Sequence, residues 1–304
     1  MKLVCTDMDR TLLPNGEQPE SPHARPILWH LLSTHTFALA YVSGRDLARV
    51  LDAIEEYDLR MPDVIVADVG TSLYTRDGDS WTPSAEWESR VLKDWNGRDS
   101  CGVEAILQDI NGLHNQEEDR QSLYKRSYYY SESADESRLV DSVRASLDDN
   151  GITASVVTSH DPIKKLGLLD VLPESATKRE AVSYLQTSFG LANEEIMFAG
   201  DSGNDVSALC AEQPGVLVAN ADTPTREAVQ NALKASHSTN TYFARGSLSV
   251  AGFDSLNGNY SAGIIEGLIH FRPQWGKHLK DTDWLRAALN DSSPRNGLSG
   301  YQSA

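Results

Sequence analysis

The chain has 304 residues, 40% of them hydrophobic, with 44 acidic side chains against 27 basic ones and a formal net charge of −17. That length allows one large domain or two ordinary ones, and the apolar content can fill a real core, which argues against disorder. An acidic chain without a basic patch does not suit nucleic acid or an anionic membrane surface; the excess charge reads first as solubility.

In chain order, "KLVCTD" is a short apolar run ending in charge and predicts a buried strand. "SPHARPILWHLLSTH" follows, with Ile27, Leu28, Leu31 and Leu32 at helical spacing and with Pro22 and Pro26 in its first turns. "FALAYVSGRD" predicts a second strand, cut off at Ser43-Gly44; "LARVLDAIEEY" is an amphipathic helix, and "DVIVADVGTSLY" is strand and turn. Continuous apolar strands alternating with helices point to a parallel sheet covered on both faces. The rhythm changes near Trp81. From there to about residue 171 a polar helix with Trp81, Trp87 and Trp95 is expected, then the alternating strand "SLYKRSYYYSE", the helix "ESRLVDSVRASLDDNG" and the strand "ITASVVTS". The first rhythm returns with the helix "TKREAVSYLQTSFG", the strand and loop "EEIMFAGDSGND", a helix opening at "VSALC", the strand "GVLVAN", and the helices "TREAVQNALK" and "AGIIEGLIHF".

The predicted fold class is therefore α/β: a doubly wound parallel-sheet core from residues 1–80 and 172–271, interrupted by a smaller α/β domain over 81–171. Residues 272–304 are expected to hold a terminal helix, "DTDWLRAALND", and a flexible Ser/Gly-rich end. Cys5, Cys101 and Cys210 form no CxxC pair or Cys/His cluster, so neither zinc nor a disulfide scaffold is expected. The N-terminus has no room for a signal-peptide apolar region and no run approaches a membrane span, so a cytoplasmic location is expected.

Ligands of open α/β sheets bind outside the carboxyl ends of the strands. Asp7, Ser43 and Asp201 each fall at such an end, although any one of "DMD", "SGR" or "GDSGND" alone could be a turn. Together they suit phosphoryl transfer, in which a carboxylate attacks phosphorus and cations steady the spreading charge. Two aspartates as close as Asp7 and Asp9 repel unless a cation offsets them. Magnesium, a hard ion with a preference for oxygen, suits Asp7, Asp201 and Asp205. Asp9 lies two residues beyond Asp7, on the same side of an extended chain, placed for general acid and base work. Lys178, in the first turn of its helix, opposes the helix dipole; it is either a solvated surface lysine or the partner of an anion.

In this order, "DMDRTL", "VSGR", "TK" before a helix and "GDSGND" resemble the motifs of the haloacid dehalogenase superfamily of phosphatases over about residues 1–271. The mixed insertion resembles the cap of its type IIB branch. The resemblance implies Asp7 as nucleophile, Asp9 as general acid/base, and Ser43 and Lys178 on the phosphoryl group. It implies Mg²⁺ held by Asp7, Asp201, Asp205 and the backbone carbonyl of Asp9. It also places Thr11, Gly44, Ser202 and Asn204 around the phosphate. Arg10 departs from the pattern, standing where glycine or asparagine is usual.

Within the branch, "VGTSLY", "YKRSYYY", "LDVLPESATK" and "AGIIEGLIHF" are similar to the sucrose-phosphate and mannosylfructose-phosphate phosphatases. This implies a sugar-phosphate substrate, sucrose 6-phosphate first, with association with a sugar-phosphate synthase as an option and the oligomeric state open. Lys125 either reaches sugar hydroxyls or is an exposed strand lysine; Arg45 either contacts substrate or pairs with a nearby carboxylate. The tryptophans of the insertion are expected to pack rather than to stack on sugar. A phosphosugar mutase and a noncatalytic sugar-phosphate sensor are the rival functions.

Overall fold

The structure, a computed structural model, describes residues 1–35, 38–161, 165–251 and 255–290. The Ser/Gly-rich end expected over 291–304 lies outside the described residues. β1 (Leu3–Thr6), α1 (Ala24–Thr34), β2 (Ala38–Val42), α2 (Leu47–Glu56) and β3 (Val64–Ala67) make the first β-α-β-α-β run. β4 (Ser72–Asp77) and β5 (Ser80–Pro83) then turn back as a hairpin. Next come α3 (Ala85–Asp94), α4 (Ser100–Leu107), β6 (His114–Asn115), β7 (Arg126–Ser131), α5 (Glu136–Asp149), β8 (Ala154–Asp161) and β9 (Leu166–Pro173). The chain returns through α6 (Lys178–Ser188), β10 (Ile196–Gly200), α7 (Val206–Leu209), β11 (Gly215–Leu217), α8 (Thr223–Ser236), β12 (Thr241–Phe243) and α9 (Ser261–Phe271), and α10 (Thr282–Asn290) follows.

Two sheets result. The larger runs β12-β11-β10-β1-β2-β3-β4-β5, parallel from β12 to β3 and antiparallel at the β4 and β5 edge. The smaller, antiparallel throughout, runs β6-β7-β9-β8.

The central strands are buried on both faces, which explains their unbroken apolar runs. Leu3, Cys5, Ala40, Val42, Ile196 and Phe198 point to one face, where Val182, Leu209 and Val229 of α6, α7 and α8 cover them. Val4, Leu39, Tyr41, Met197 and Ala199 point to the other, under Ile27, Val50 and Ile264 of α1, α2 and α9. Sides alternate residue by residue, as the pleat requires. Leu285 of α10 joins the second layer.

The structure corrects one tryptophan. Trp81 was expected in a polar helix but lies on β5, opposite Arg76. Gly78, at φ 58°, turns the chain tightly between the two strands, so "RDGDS" was a hairpin signal. Trp87 and Trp95 are fully buried packing residues, as expected.

A buried carboxylate ties the loop after β12 to α9. Glu266 accepts hydrogen bonds from Tyr242 Oη (2.9 Å), the Arg245 and Gly246 N–H groups (3.0 Å each) and Ser247 Oγ (2.7 Å). Burial works against its charge, but these donors outweigh burial and hold its carboxyl below the usual range. The unfolded glutamate titrates near about 4.3, so its contribution to stability is present above that pH and fades as pH falls through the lower folded value. Glu266→Gln is therefore expected to destabilise by about 1–3 kcal/mol at neutral pH and to cost less in acid; urea titrations at pH 7 and pH 4 would show it, and an equal loss at both would refute it.

Candidate active site

The parallel registers set Thr6 level with Ala199 and with Tyr41, so β1, β10 and β2 end together. Asp7 leaves the first, Asp201 the second and Ser43 the third. The Asp7 N–H donates to the Ala199 carbonyl at 2.9 Å, which fixes the loop on the sheet.

Lys178 enters from the far side of the insertion. Thr177 caps α6, its hydroxyl accepting the Glu180 N–H at 3.2 Å, so Lys178 is the first helical residue. Its side chain is only 1% exposed and Nζ donates to Asp7 Oδ1 and Asp205 Oδ1, each at 2.7 Å. The lysine that opposes the helix dipole is therefore an anion partner, not a surface residue. Burial alone would strip its proton, but the two carboxylates outweigh burial and hold it charged.

Both oxygens of Asp205 are taken. Oδ1 accepts from Lys178, and Oδ2 accepts the Asp201 and Ser202 N–H groups at 3.1 Å each. Asp205 thus anchors the loop. Thr11 donates either to Asp201 Oδ1 (3.0 Å) or to Asp7 Oδ2 (3.2 Å), joining the two carboxylates. Asp201 Oδ2 is buried and has no hydrogen-bond partner.

Asp7, Asp201 and Asp205 bring a carboxylate oxygen each within 4.8 Å of one another. Burial pushes Asp7 upward against the pull of Lys178, with Asp205 adding to the rise; burial and Asp205 together push Asp201 up to about 6. Crowded carboxylates with one orphaned oxygen and only one fully buried ammonium fit a hard divalent cation. Mg²⁺ would be held chiefly by Asp7 and Asp201, with Asp205 supporting both them and Lys178.

The family model for sucrose-6F-phosphate phosphohydrolase matches residues 1–272. The chain belongs to this family. A haloacid-dehalogenase-like hydrolase of Nitrosococcus oceani is 42% identical over 272 residues, covering 90% of this chain and 72% of that protein. The mannosylfructose-phosphate phosphatase of Agrobacterium fabrum is 26% identical, covering 91% and 97% of the two chains. Part of the glucosylglycerol-phosphate synthase of Pseudomonas anguilliseptica is 29% identical over 218 residues, covering 71% of this chain but 26% of that protein. Among solved structures, the sucrose-phosphatase of Synechocystis, in complex with sucrose and phosphate, shares the fold with a TM-score of 0.66 at 23% identity over 89% of this chain and 98% of that one. This sucrose-6F-phosphate phosphohydrolase family member is a phosphoric monoester hydrolase of haloacid dehalogenase type, as the motifs led one to expect.

The other residues singled out in the family member's sequence sit close by. Arg45 pairs with a carboxylate: its guanidinium grips Asp9 twice, Nε to Oδ2 at 2.8 Å and Nη2 to Oδ1 at 2.6 Å. Asn15 Nδ2 adds a third bond to Asp9 Oδ1 at 2.6 Å, a partner the sequence analysis missed although "PNG" marks a turn there. Burial favours the neutral acid, but Arg45 and Asn15 overcome it and hold Asp9 below the ordinary carboxylate range. Ser43 is fully buried and its Oγ accepts the Arg45 N–H at 3.1 Å. A Cβ added at Gly44 would meet the Val69 side chain at 3.8 Å, an ordinary contact. Ser202 Oγ lies 2.9 Å from Asn204 Oδ1, on the loop that carries Asp201. Lys125 stands just before β7, bridged to Ser122; burial pushes the carboxyl of Asp68 up, and the charge of Lys125 works against that rise.

Asp68 and Val69 belong to a strained turn absent from the sequence-based list. Their φ values are 51° and 64°, a left-handed region costly for β-branched valine. Their N–H groups donate to the carbonyls of Arg45 (2.9 Å) and Ser43 (3.0 Å), and Trp87 Nε1 donates to the Gly70 carbonyl at 3.0 Å. Gly70, at φ 116°, lies so close to α6 that a Cβ would come within 2.8 Å of the Thr177 carbonyl carbon. The turn therefore sets where Lys178 begins. Gly70→Ala is expected to destabilise by about 1–3 kcal/mol and to cut turnover about 10²-fold through a displaced lysine; unchanged kinetics would remove the turn from the positioning of the site.

A cavity of about 610 Å³ opens from Lys178 and Asn204 toward the smaller sheet, with Val69, Val157 and Leu172 in its wall. Lys125 is not part of that wall.

Proposed function

We propose that this protein hydrolyses a soluble sugar phosphate in a Mg²⁺-dependent reaction through an aspartyl-phosphate on Asp7, with sucrose 6-phosphate as the first substrate to test. The reading rests on one observation above all: Asp7, from the first strand, shares Lys178 with Asp205, although these residues are far apart in the chain. The family match and the phosphatase relatives support the sugar-phosphate class.

In this reading a carboxylate oxygen of Asp7 attacks phosphorus while the bond from phosphorus to the sugar oxygen breaks. That oxygen leaves with its electron pair and takes a proton from Asp9. Water then attacks the acyl-phosphate and gives a proton to Asp9, and phosphate and free Asp7 result. When bound, Mg²⁺ supplies positive charge beside the phosphoryl oxygens. Lys178 keeps Asp7 ionised and oriented, and Ser43 and Asn204 steady the phosphoryl group. Arg45 holds Asp9 as a carboxylate, a state ready to accept a proton; donation requires the guanidinium to turn toward another anion, and the phosphoryl group is the anion at hand.

The insertion, expected over 81–171 but by strand pairing starting after β5 and reaching the end of β9, serves as the cap in this proposal, selecting the sugar and excluding water. A synthase that makes the sugar phosphate is the expected partner class, a pairing supported by the match to part of a glucosylglycerol-phosphate synthase. No helix among the described residues is long and apolar enough to cross a membrane, which fits a sugar-phosphate enzyme of the cytoplasm.

The test is release of inorganic phosphate across a panel of sugar phosphates that includes sucrose 6-phosphate and mannosylfructose phosphate. The expected result is a preference for one disaccharide phosphate over small aryl phosphates; phosphoryl return to a second sugar hydroxyl, with no phosphate released, would make it a mutase. EDTA should abolish turnover and added Mg²⁺ restore it, whereas full activity in the chelator would overturn the metal assignment.

A further inference from the structure

Arg10 stands directly after the Asp7–Asp9 pair and adopts φ 60°, a conformation that glycine or asparagine takes at little cost and arginine does not. The backbone there is held independently of the side chain. The Arg10 N–H donates to Asn15 Oδ1 at 2.8 Å, and its carbonyl accepts from Asn220 Nδ2 at 2.6 Å. A neutral or smaller residue would serve the turn equally well, so the long cation calls for another reason.

Its position supplies one. Arg10 Nε lies 3.5 Å from Asp201 Oδ2, and both atoms are buried without a hydrogen-bond partner. The pair is close enough for strong attraction but too long for a good hydrogen bond. The side chain as a whole is 43% exposed, so the guanidinium has solvent into which to move. Around it, the carboxyl groups of Asp7, Asp201 and Asp205 crowd about the single ammonium of Lys178. Such a cluster is costly to leave uncompensated in a dry site.

We infer that Arg10 is a stand-in cation for the metal site: it offsets Asp201 while the site holds no Mg²⁺ and must yield, or be repelled, when Mg²⁺ binds. The inference rests on the magnesium reading above and goes beyond it, because it makes Arg10 a determinant of metal affinity. The free oxygen of Asp201 is the one a metal would use, so guanidinium and ion compete for the same negative charge. Arg10 thereby lowers the affinity for Mg²⁺ and steadies the metal-free protein. It is a positioning and tuning residue rather than a catalytic one.

Calorimetric titration of MgCl₂ into the EDTA-stripped, dialysed full chain tests this without any turnover. Arg10→Gln removes the charge and keeps most of the stem; Arg10→Gly removes both and relieves the backbone. Both variants are expected to bind Mg²⁺ about tenfold more tightly than the parent protein. Dissociation constants within twofold of the parent in both variants would overturn the inference and leave the magnesium reading intact. Tightening in Arg10→Gly alone would assign the effect to backbone relief and also overturn it. Absence of binding in all three proteins would overturn the magnesium reading itself, and the inference with it.

Discussion

Replacing Asp7 by asparagine is expected to abolish phosphate release, by a factor of about 10⁴ or more, while the fold survives. The amide keeps the shape and can still accept a hydrogen bond from Lys178, but it is no nucleophile toward phosphorus. Stability should change little or rise, because Asp7 is one of three crowded carboxylates and burial already works against its charge. Phosphate release and thermal melting, measured on the same preparation, give the check. An active Asp7→Asn protein would reject the covalent mechanism, and an unfolded one would make Asp7 a structural residue first.

The second large effect belongs to Lys178. Its ammonium joins Asp7 and Asp205 in a site that water barely reaches, so Lys178→Ala leaves two buried carboxylates without their shared cation. A loss of about 3–5 kcal/mol is expected, together with loss of turnover. The stability part of the claim has its own control. In the double variant with Asp7→Asn, one of the orphaned charges is gone, and the two changes should cost clearly less than their sum. Strict additivity in denaturant melts would show that the ion pairs contribute little, and a fully active Lys178→Ala enzyme would remove the lysine from the mechanism.

Both predictions concern residues that the sequence exposed for different reasons. Asp7 was legible because a continuous apolar strand ends on it, and a buried parallel strand ending in a carboxylate is a local pattern. Lys178 was legible as an anomaly, a cation placed against a helix dipole, and its neighbour Thr177 marked the helix start by ordinary capping chemistry. Asp205 was legible as an acidic residue of the turn-rich "GDSGND" loop, suited to magnesium beside Asp7 and Asp201. That its two oxygens are divided between Lys178 and the amides of its own loop depends on how α6 approaches β10.

Other features had weak local signals or none. Trp81 was misplaced because aromatic residues spaced through a polar stretch suggest a helix, while the hairpin was encoded by the single glycine of "RDGDS". The strained turn at Asp68 and Val69 reads as an ordinary apolar stretch in "DVIVADVGTSLY", and only its long-range bonds to Ser43 and Arg45 hold it there. Arg45 had two meanings in the sequence, substrate contact or ion pair, and the structure shows the pair with Asp9.

The alternation of strand and helix at the two ends of the chain, the continuous apolar strands that are buried on both faces of the larger sheet, and the carboxylates at strand ends follow from the sequence alone, because each depends on neighbours a few residues apart. The sharing of Lys178 by Asp7 and Asp205, the grip of Arg45 on Asp9 and the approach of Arg10 to Asp201 were decided by the tertiary structure. They are side-chain contacts between strand ends and loops, some of them more than a hundred residues apart, and a charge finds its partner only when the sheet has brought those ends together.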